Sequence, residues 1–183
     1  MSPTRSLNKT EKSLIKLLQL AYSGELAAAF AYRRHWQSVR DEAERNQIKI
    51  IEEEEWQHRK LVGAMLQQLG AQPDKWRERK MLVIGRSLGF LCYFSGWFAP
   101  MYGAGRLESQ NVKEYETAAV YARDCGRTEF IDCLLTMAEV EWEHEKYFRA
   151  QVEKHFFARF IPLWAAPPPK AQIRILFAEN SNG

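Results

Sequence analysis

Two short runs hold the residues of this chain whose types and spacing suit metal chemistry. Glu55-Trp56-Gln57-His58 and Glu141-Trp142-Glu143-His144 both read E-x-x-H, and both have tryptophan at the second position. On a helix, residues i and i+3 project from one face, so a carboxylate oxygen and an imidazole nitrogen of one run can reach the same cation. Carboxylates with histidine suit iron or manganese, whereas thiolates would favour zinc or copper, and neither run contains cysteine. One E-x-x-H means little in a chain this rich in glutamate. Two of them among four histidines make a pattern. The other two, His35 and His155, have no Glu three residues earlier and read as surface or packing residues.

A two-metal bundle needs one more Glu from each of two further helices. The first helical segment offers Glu11, at its start, and Glu25, which lies among Gly24, Leu26, Ala27, Ala28 and Ala29. A charge in such a stretch is costly without a partner, and a cation is one. In an antiparallel hairpin, residues equidistant from the turn face each other. Glu25 and Glu55 are centred on Arg40, where a turn is expected. Glu108 and Glu141 are centred just before Gly126, and Glu114 with Glu141 would fit a turn there equally well. Tyr32 stands seven residues after Glu25 and Tyr115 seven after Glu108, on the same helix faces, which favours Glu108 over Glu114 or Glu116. The expected ligands are therefore Glu25, Glu55, His58, Glu108, Glu141 and His144. Tyr32 and Tyr115 are candidates for electron or proton relay beside them, with core packing as the plainer role. The repeated order of Glu, Tyr and E-W-x-H suits two halves related by approximate twofold symmetry.

Long helices must position these residues. Glycine and proline are scarce from residue 7 to 69, and apolar residues recur at helical spacing, as in Leu14, Leu17, Leu18 and Tyr22. Four long helical segments are expected. The first runs from about Asn8 to Arg40, with Asn8 and Glu11 as a capping box, and the second from about Asp41 to Gly70, a C′ glycine. The third has an irregular, glycine-rich approach over Met81–Gly105 and becomes regular from about Arg106 to Cys125. The fourth starts with Thr128 as N-cap and runs to about Phe157. Residues 1–161 form this bundle, and residues 162–183 form a C-terminal tail, extended at Pro167-Pro168-Pro169, with an apolar piece over Ala171–Ala178 of unassigned role.

The 183 residues suit one domain, and an aromatic share of 13% excludes a disordered chain. A net charge of +3 gives no ground for a nucleic-acid partner. Cys92, Cys125 and Cys133 form no CxxC pair and read as reduced thiols of a cytoplasmic protein. The start lacks the apolar run of a signal peptide.

The chain resembles the ferritin-like di-iron carboxylate proteins, and most closely the demethoxyubiquinone hydroxylases. The run SGELAAAFAYRRHW is similar to that family's first-helix signature, a Gly-Glu followed at +7 by Tyr, here Gly24, Glu25 and Tyr32. The family's E-x-x-H pairs fall on Glu55/His58 and Glu141/His144, and its third-helix Glu falls on Glu108 after Leu107, with Tyr115 following. Ala21-Tyr22-Ser23 replaces the Asp-His-Ala usual before the Gly-Glu, and the tail from Pro162 has no counterpart. The resemblance implies a ferritin-like four-helix bundle with two iron ions, manganese being the alternative metal. It implies an O2-dependent monooxygenase that hydroxylates a quinone-like lipid in ubiquinone biosynthesis.

Lys75, Arg77, Arg79 and Lys80 precede an aromatic, apolar stretch that contains Phe90, Phe94 and Trp97. Such a segment, residues 75–102, suits peripheral contact with an anionic membrane, and the expected location is cytoplasmic or on the inner face of the membrane. Residues 87–105 carry no charge and would be long enough to span, although their glycines and Pro100 argue against it. Bundle core is the other reading of this stretch. The competing functions are iron oxidation or peroxide handling of the ferritin or rubrerythrin kind, a tRNA-modifying di-iron hydroxylase, and a non-catalytic helical module. A homo-oligomer is left open.

Overall fold

Asn8 opens the first helix, α1 (Lys9–Ser38), by accepting the Glu11 backbone N–H at 2.7 Å. The reciprocal half of the expected capping box is replaced: the Glu11 carboxylate lies 3.4 Å from Arg127. The structure, a computed structural model, describes residues 8–179. Residues 1–7, read above as lacking a signal peptide, and residues 180–183 of the tail lie outside that range. Among the described residues the chain has six α-helices and no strand, a helical bundle.

α2 (Glu42–Gln68) is capped by Asp41, which accepts the Glu44 N–H at 2.9 Å. It ends at Gly70, whose φ of 67° lets Ala71 N–H reach Leu66 O at 2.9 Å, closing the helix with a six-residue hydrogen-bonded loop. The same device, with Gly126 at φ 78° and Arg127 N–H on Ala122 O at 2.7 Å, ends the helix that carries Glu108.

The third segment departs from expectation. It is two helices, α3 (Lys75–Leu91) and α4 (Phe98–Asp124), separated at residues 92–97. Asp74 starts α3 by accepting the N–H groups of Trp76 and Arg77. Pro100 falls in the first turn of α4, where a missing N–H costs no helical bond. The glycines that seemed to weaken helix here serve close packing instead. A Cβ on Gly85 would lie 2.4 Å from the Ala27 carbonyl oxygen, and one on Gly89 would meet Phe30 O at 2.9 Å, so α3 lies against the backbone of α1. The break at 92–97 also removes the spanning helix that residues 87–105 would allow by length. Among the described residues the helix long and apolar enough to cross a membrane is α1 itself, which carries buried Glu25 into the bundle.

The fourth segment also starts and stops elsewhere than expected. Thr128 opens a 3-10 turn (Thr128–Phe130) rather than capping the helix, and α5 (Ile131–Glu153) follows. The chain leaves α5 before Phe157 and makes a second 3-10 turn, Phe156–Arg159. α1 packs on α2, α3 and α4, and α4 packs on α5.

The tail is laid back on the bundle. Trp142 Nε1 donates to Pro168 O at 2.7 Å, and Trp164 Nε1 donates to Glu145 at 2.8 Å. Trp164 covers Gly105 so closely that a Cβ there would lie 2.4 Å from its ring. The apolar piece of the tail is α6 (Gln172–Glu179), held by buried Ile173 and by Arg174 on Glu139 and Asp132.

Two apolar clusters form the core. One holds Leu14, Leu18, Val62, Leu66, Leu134 and Met137. The other holds Tyr32, Ile48, Ile51, Met101, Phe148 and Val152. Glu25, Glu55, His58, Glu108, Glu141 and His144, all buried, lie in sequence between the two sets on their helices.

Candidate metal centre

α1, α2, α4 and α5 each send buried acids or imidazoles to one place. Glu25 comes from α1, Glu55 and His58 from α2, Glu108 from α4, and Glu141 and His144 from α5. Their donor atoms form two groups, each within 4.8 Å: Glu25, Glu55, His58 and Glu141 in one, Glu55, Glu108, Glu141 and His144 in the other. Each group could hold a metal ion. Glu55 and Glu141 belong to both and are fully buried. Glu114 is half-buried and lies outside both groups.

The donor set fits cations better than it fits itself. Glu25 Oε2, both Glu55 oxygens, Glu141 Oε2 and His144 Nδ1 are buried with no hydrogen-bond partner. Buried polar atoms are ordinarily paired, and orphans of this kind mark an ion, a water or a catalytic role. His144 Nδ1 stands 3.5 Å from Glu55 and 3.4 Å from Glu141, near enough to share a cation with both. His58 Nδ1 lies 2.9 Å from Glu141 Oε1.

Without a cation, protons take its place. Burial pushes the carboxyls of Glu55 and Glu108 well above the ordinary range, and the Glu141 charge adds to this; burial raises Glu25 as well. Burial also acts against Glu141, but the nearby imidazoles of His144 and His58 outweigh it and hold that carboxyl below the usual range. The two imidazoles respond in kind. Burial opposes their charge, yet contact with Glu141 raises His58, and contact with Glu141, Glu54 and Glu55 raises His144 further.

The tyrosines touch the ligands crosswise. The Tyr32 hydroxyl donates to Glu108, and the Tyr115 hydroxyl donates to Glu25. Each tyrosine thus serves the Glu of the opposite half, because antiparallel α1 and α4 set residue 32 level with 108 and residue 115 level with 25. Burial first, and the neighbouring carboxylates next, keep both phenols protonated well past the usual range. They orient two of the donor carboxylates, a more specific part than core packing.

Glu52–Glu55, which reads in sequence as a possible solvated face, divides its work. Glu55 belongs to both donor groups. Glu52 is buried and accepts from Arg33, Trp36 and Trp56. Glu54, not singled out by the motif, accepts from His144 Nε2 at 2.7 Å and so fixes which nitrogen faces the metal position. Asn111 likewise donates to Glu108 at 2.8 Å. Only the position next to a motif residue hinted at Glu54, and nothing in the sequence pointed to Asn111. Carboxylates behind metal-bound histidines tune affinity. Glu54→Gln is expected to keep two metal positions and weaken binding by about 10- to 100-fold, measured by competition with a chelating dye.

His35 is not a surface residue. It is buried beside the stacked pair Tyr32 and Phe148, with ring centroids 6.4 and 6.2 Å away, and burial alone pushes its pKa down to about 4. His155 is half-buried, stacks on Trp97 and accepts the Phe157 N–H. The three cysteines are half-buried free thiols away from the cluster. No family model, no curated protein and no solved structure matches this chain, so what the centre can do is judged from its own residues.

Proposed function

We propose that this protein is a ferritin-like di-iron monooxygenase that hydroxylates a quinone-like lipid. The observation that carries this reading is an apolar cavity of about 480 Å³ between α1, α3 and α4, with Glu25, Glu108, Tyr32 and Tyr115 at its inner wall. Ala28, Ala31, Ile84 and Gly103 make its sides, and exposed Leu88, Leu91 and Leu107 stand at its edge. Pockets that take small molecules are of this size and are mostly apolar, with a few convergent polar groups. An iron or peroxide store needs no such space.

Iron bound by the six ligands would supply O2 activation, using two electrons from an external donor. The chain's own residues prepare the ground. Glu55 and Glu141 belong to both donor groups and would help to hold both ions. Tyr32 and Tyr115 hold the carboxylates of Glu108 and Glu25 by hydrogen bonds, and the apolar walls would keep water from the reacting ring.

A lipid substrate calls for access from a membrane. Trp76, Val83, Phe90 and Phe94 are exposed by 76, 64, 61 and 73%, on α3 and just after it, beside exposed Lys75, Arg79, Lys80 and Arg86. Basic and aromatic residues so mixed suit the interface of an anionic bilayer. Docked there, the cavity edge at Leu88 and Leu91 would face lipid.

Gly103 lines the cavity, and a Cβ there meets nothing within 4 Å. Gly103→Leu is expected to keep the metal content while abolishing hydroxylation of a short-chain quinone under reductant and O2. If the loaded wild type consumes O2 or peroxide with no dependence on quinone, the iron- or peroxide-handling reading replaces this one.

A further inference from the structure

We propose that the segment from Phe156 to Ile161, which contains the second 3-10 turn, is a second lipid-contact element that docks on an anionic bilayer together with α3. This rests on the membrane contact of the proposed function and extends it to a part of the chain that the sequence reading placed in the bundle.

The segment leaves large apolar side chains in solvent. Phe156 is 60% exposed, Phe160 69%, Phe157 49% and Ile161 37%. Phe156 and Phe160 lie together, their ring centroids 5.1 Å apart. Continuous apolar surface of this sort on a soluble domain marks an interaction site.

The segment is also fastened to the first lipid-facing surface. Phe157 meets Phe98 edge-on at 5.6 Å, and His155 stacks on Trp97 at 5.3 Å. The Tyr102 hydroxyl donates to Pro162 O at 2.8 Å. Trp97 and Phe98 follow exposed Phe94 after Ser95 and Gly96, so this contact ties the 156–161 segment to the chain that leads out of α3.

Charge identifies the occupant. From Arg79 to Leu107 the chain carries four basic residues and no acid. From Lys154 to Ala178 it again carries no acid; of its four basic residues Lys170 and Arg174 pair with acids of α5, and Lys154 and Arg159 stand exposed. Lys154 and Arg159 flank the exposed rings, and Arg159 lies over Phe156 at 6.0 Å. A second copy of the chain would set these like charges against each other, whereas a surface of anionic headgroups would neutralise them.

The test is co-sedimentation of the full chain with phosphatidylcholine vesicles, with and without phosphatidylglycerol. Wild type, Phe156→Ser/Phe160→Ser and Phe90→Ser/Phe94→Ser are compared, each checked for wild-type helicity and metal content. Wild type should bind the phosphatidylglycerol vesicles, and each double variant should bind at least about tenfold less, as expected for losing two buried phenyl rings. Wild-type binding by Phe156→Ser/Phe160→Ser, with loss in Phe90→Ser/Phe94→Ser, would overturn this inference and leave the α3 contact standing. No binding by wild type would overturn both. A wild-type dimer in sedimentation velocity that Phe156→Ser/Phe160→Ser dissociates would assign the surface to a second copy and overturn the inference.

Discussion

Glu55→Ala is expected to empty both metal positions, whereas Glu25→Ala is expected to empty one. Glu55 belongs to both donor groups, and Glu25 belongs only to the group with His58. Removing Glu55 leaves each group three residues, of which Glu141 is again shared. Removing Glu25 leaves Glu55, Glu108, Glu141 and His144 intact as a set. Glu108→Ala should mirror Glu25→Ala at the other position, while Glu114→Ala should keep two metals. Bound metal per chain after loading and desalting reads all four variants. The metal-free Glu55→Ala protein should be no less stable than metal-free wild type, because the substitution removes a buried carboxyl with two unpartnered oxygens. A Glu55→Ala protein that keeps one firmly bound metal would show that the two positions do not share this ligand.

The metal-free protein is expected to melt at progressively lower temperature between about pH 7 and about pH 9, and a divalent metal should reverse the trend. Glu25, Glu55 and Glu108 hold protons more tightly folded than unfolded, and so do His58 and His144. Their stabilisation is complete below the unfolded pKa values of 4.5 and 6.5 and is lost as pH rises through the raised folded values. Two groups act with the opposite sign. Glu141, lowered from 4.5, contributes stability that disappears as pH falls below that value. His35, lowered from 6.5 to about 4, contributes stability that disappears as pH falls across that interval. Above 6.5 neither opposes the decline. Each proton held only by the folded state changes stability by about 1.4 kcal/mol per pH unit, and about 2–4 °C of melting temperature corresponds to each kcal/mol at this chain length. Metal ligation requires these groups without their protons, so affinity increases with pH and the cation stabilises most where the empty protein is weakest. Differential scanning with chelator and with Mn(II) across this range checks both halves. A metal-free melting temperature that stays flat or climbs would contradict the proton assignment.

The parts of the centre that depend on helical spacing were legible before any coordinates. E-x-x-H fixes two side chains on one face whatever else happens, and the turn midpoints at Arg40 and before Gly126 gave the hairpin register. Asn8 and Gly70 were legible because caps and left-handed glycines have local chemical causes, whereas Thr128, read as a cap on the same grounds, opens a 3-10 turn. The division of the third segment into α3 and α4 was not. Gly85, Gly89 and Gly105 lower helix propensity locally, and their real purpose, close approach to Ala27, Phe30 and Trp164, involves residues far away in sequence. The crosswise tyrosines depend on how α1 and α4 align, which no single helix encodes. The tail was opaque for the same reason: Trp142 reads as part of a motif, yet its indole N–H serves Pro168. The second tryptophan of the pair, Trp56, instead bonds Glu52 on its own helix.

Metal content after anaerobic Fe(II) loading tests the two-metal centre most directly. The buried donor groups that share Glu55 and Glu141 lead to two equivalents of iron per chain, with a Mössbauer spectrum of an antiferromagnetically coupled pair after oxidation by O2. A chain that retains no metal, or holds one zinc ion in a mononuclear site, would contradict it.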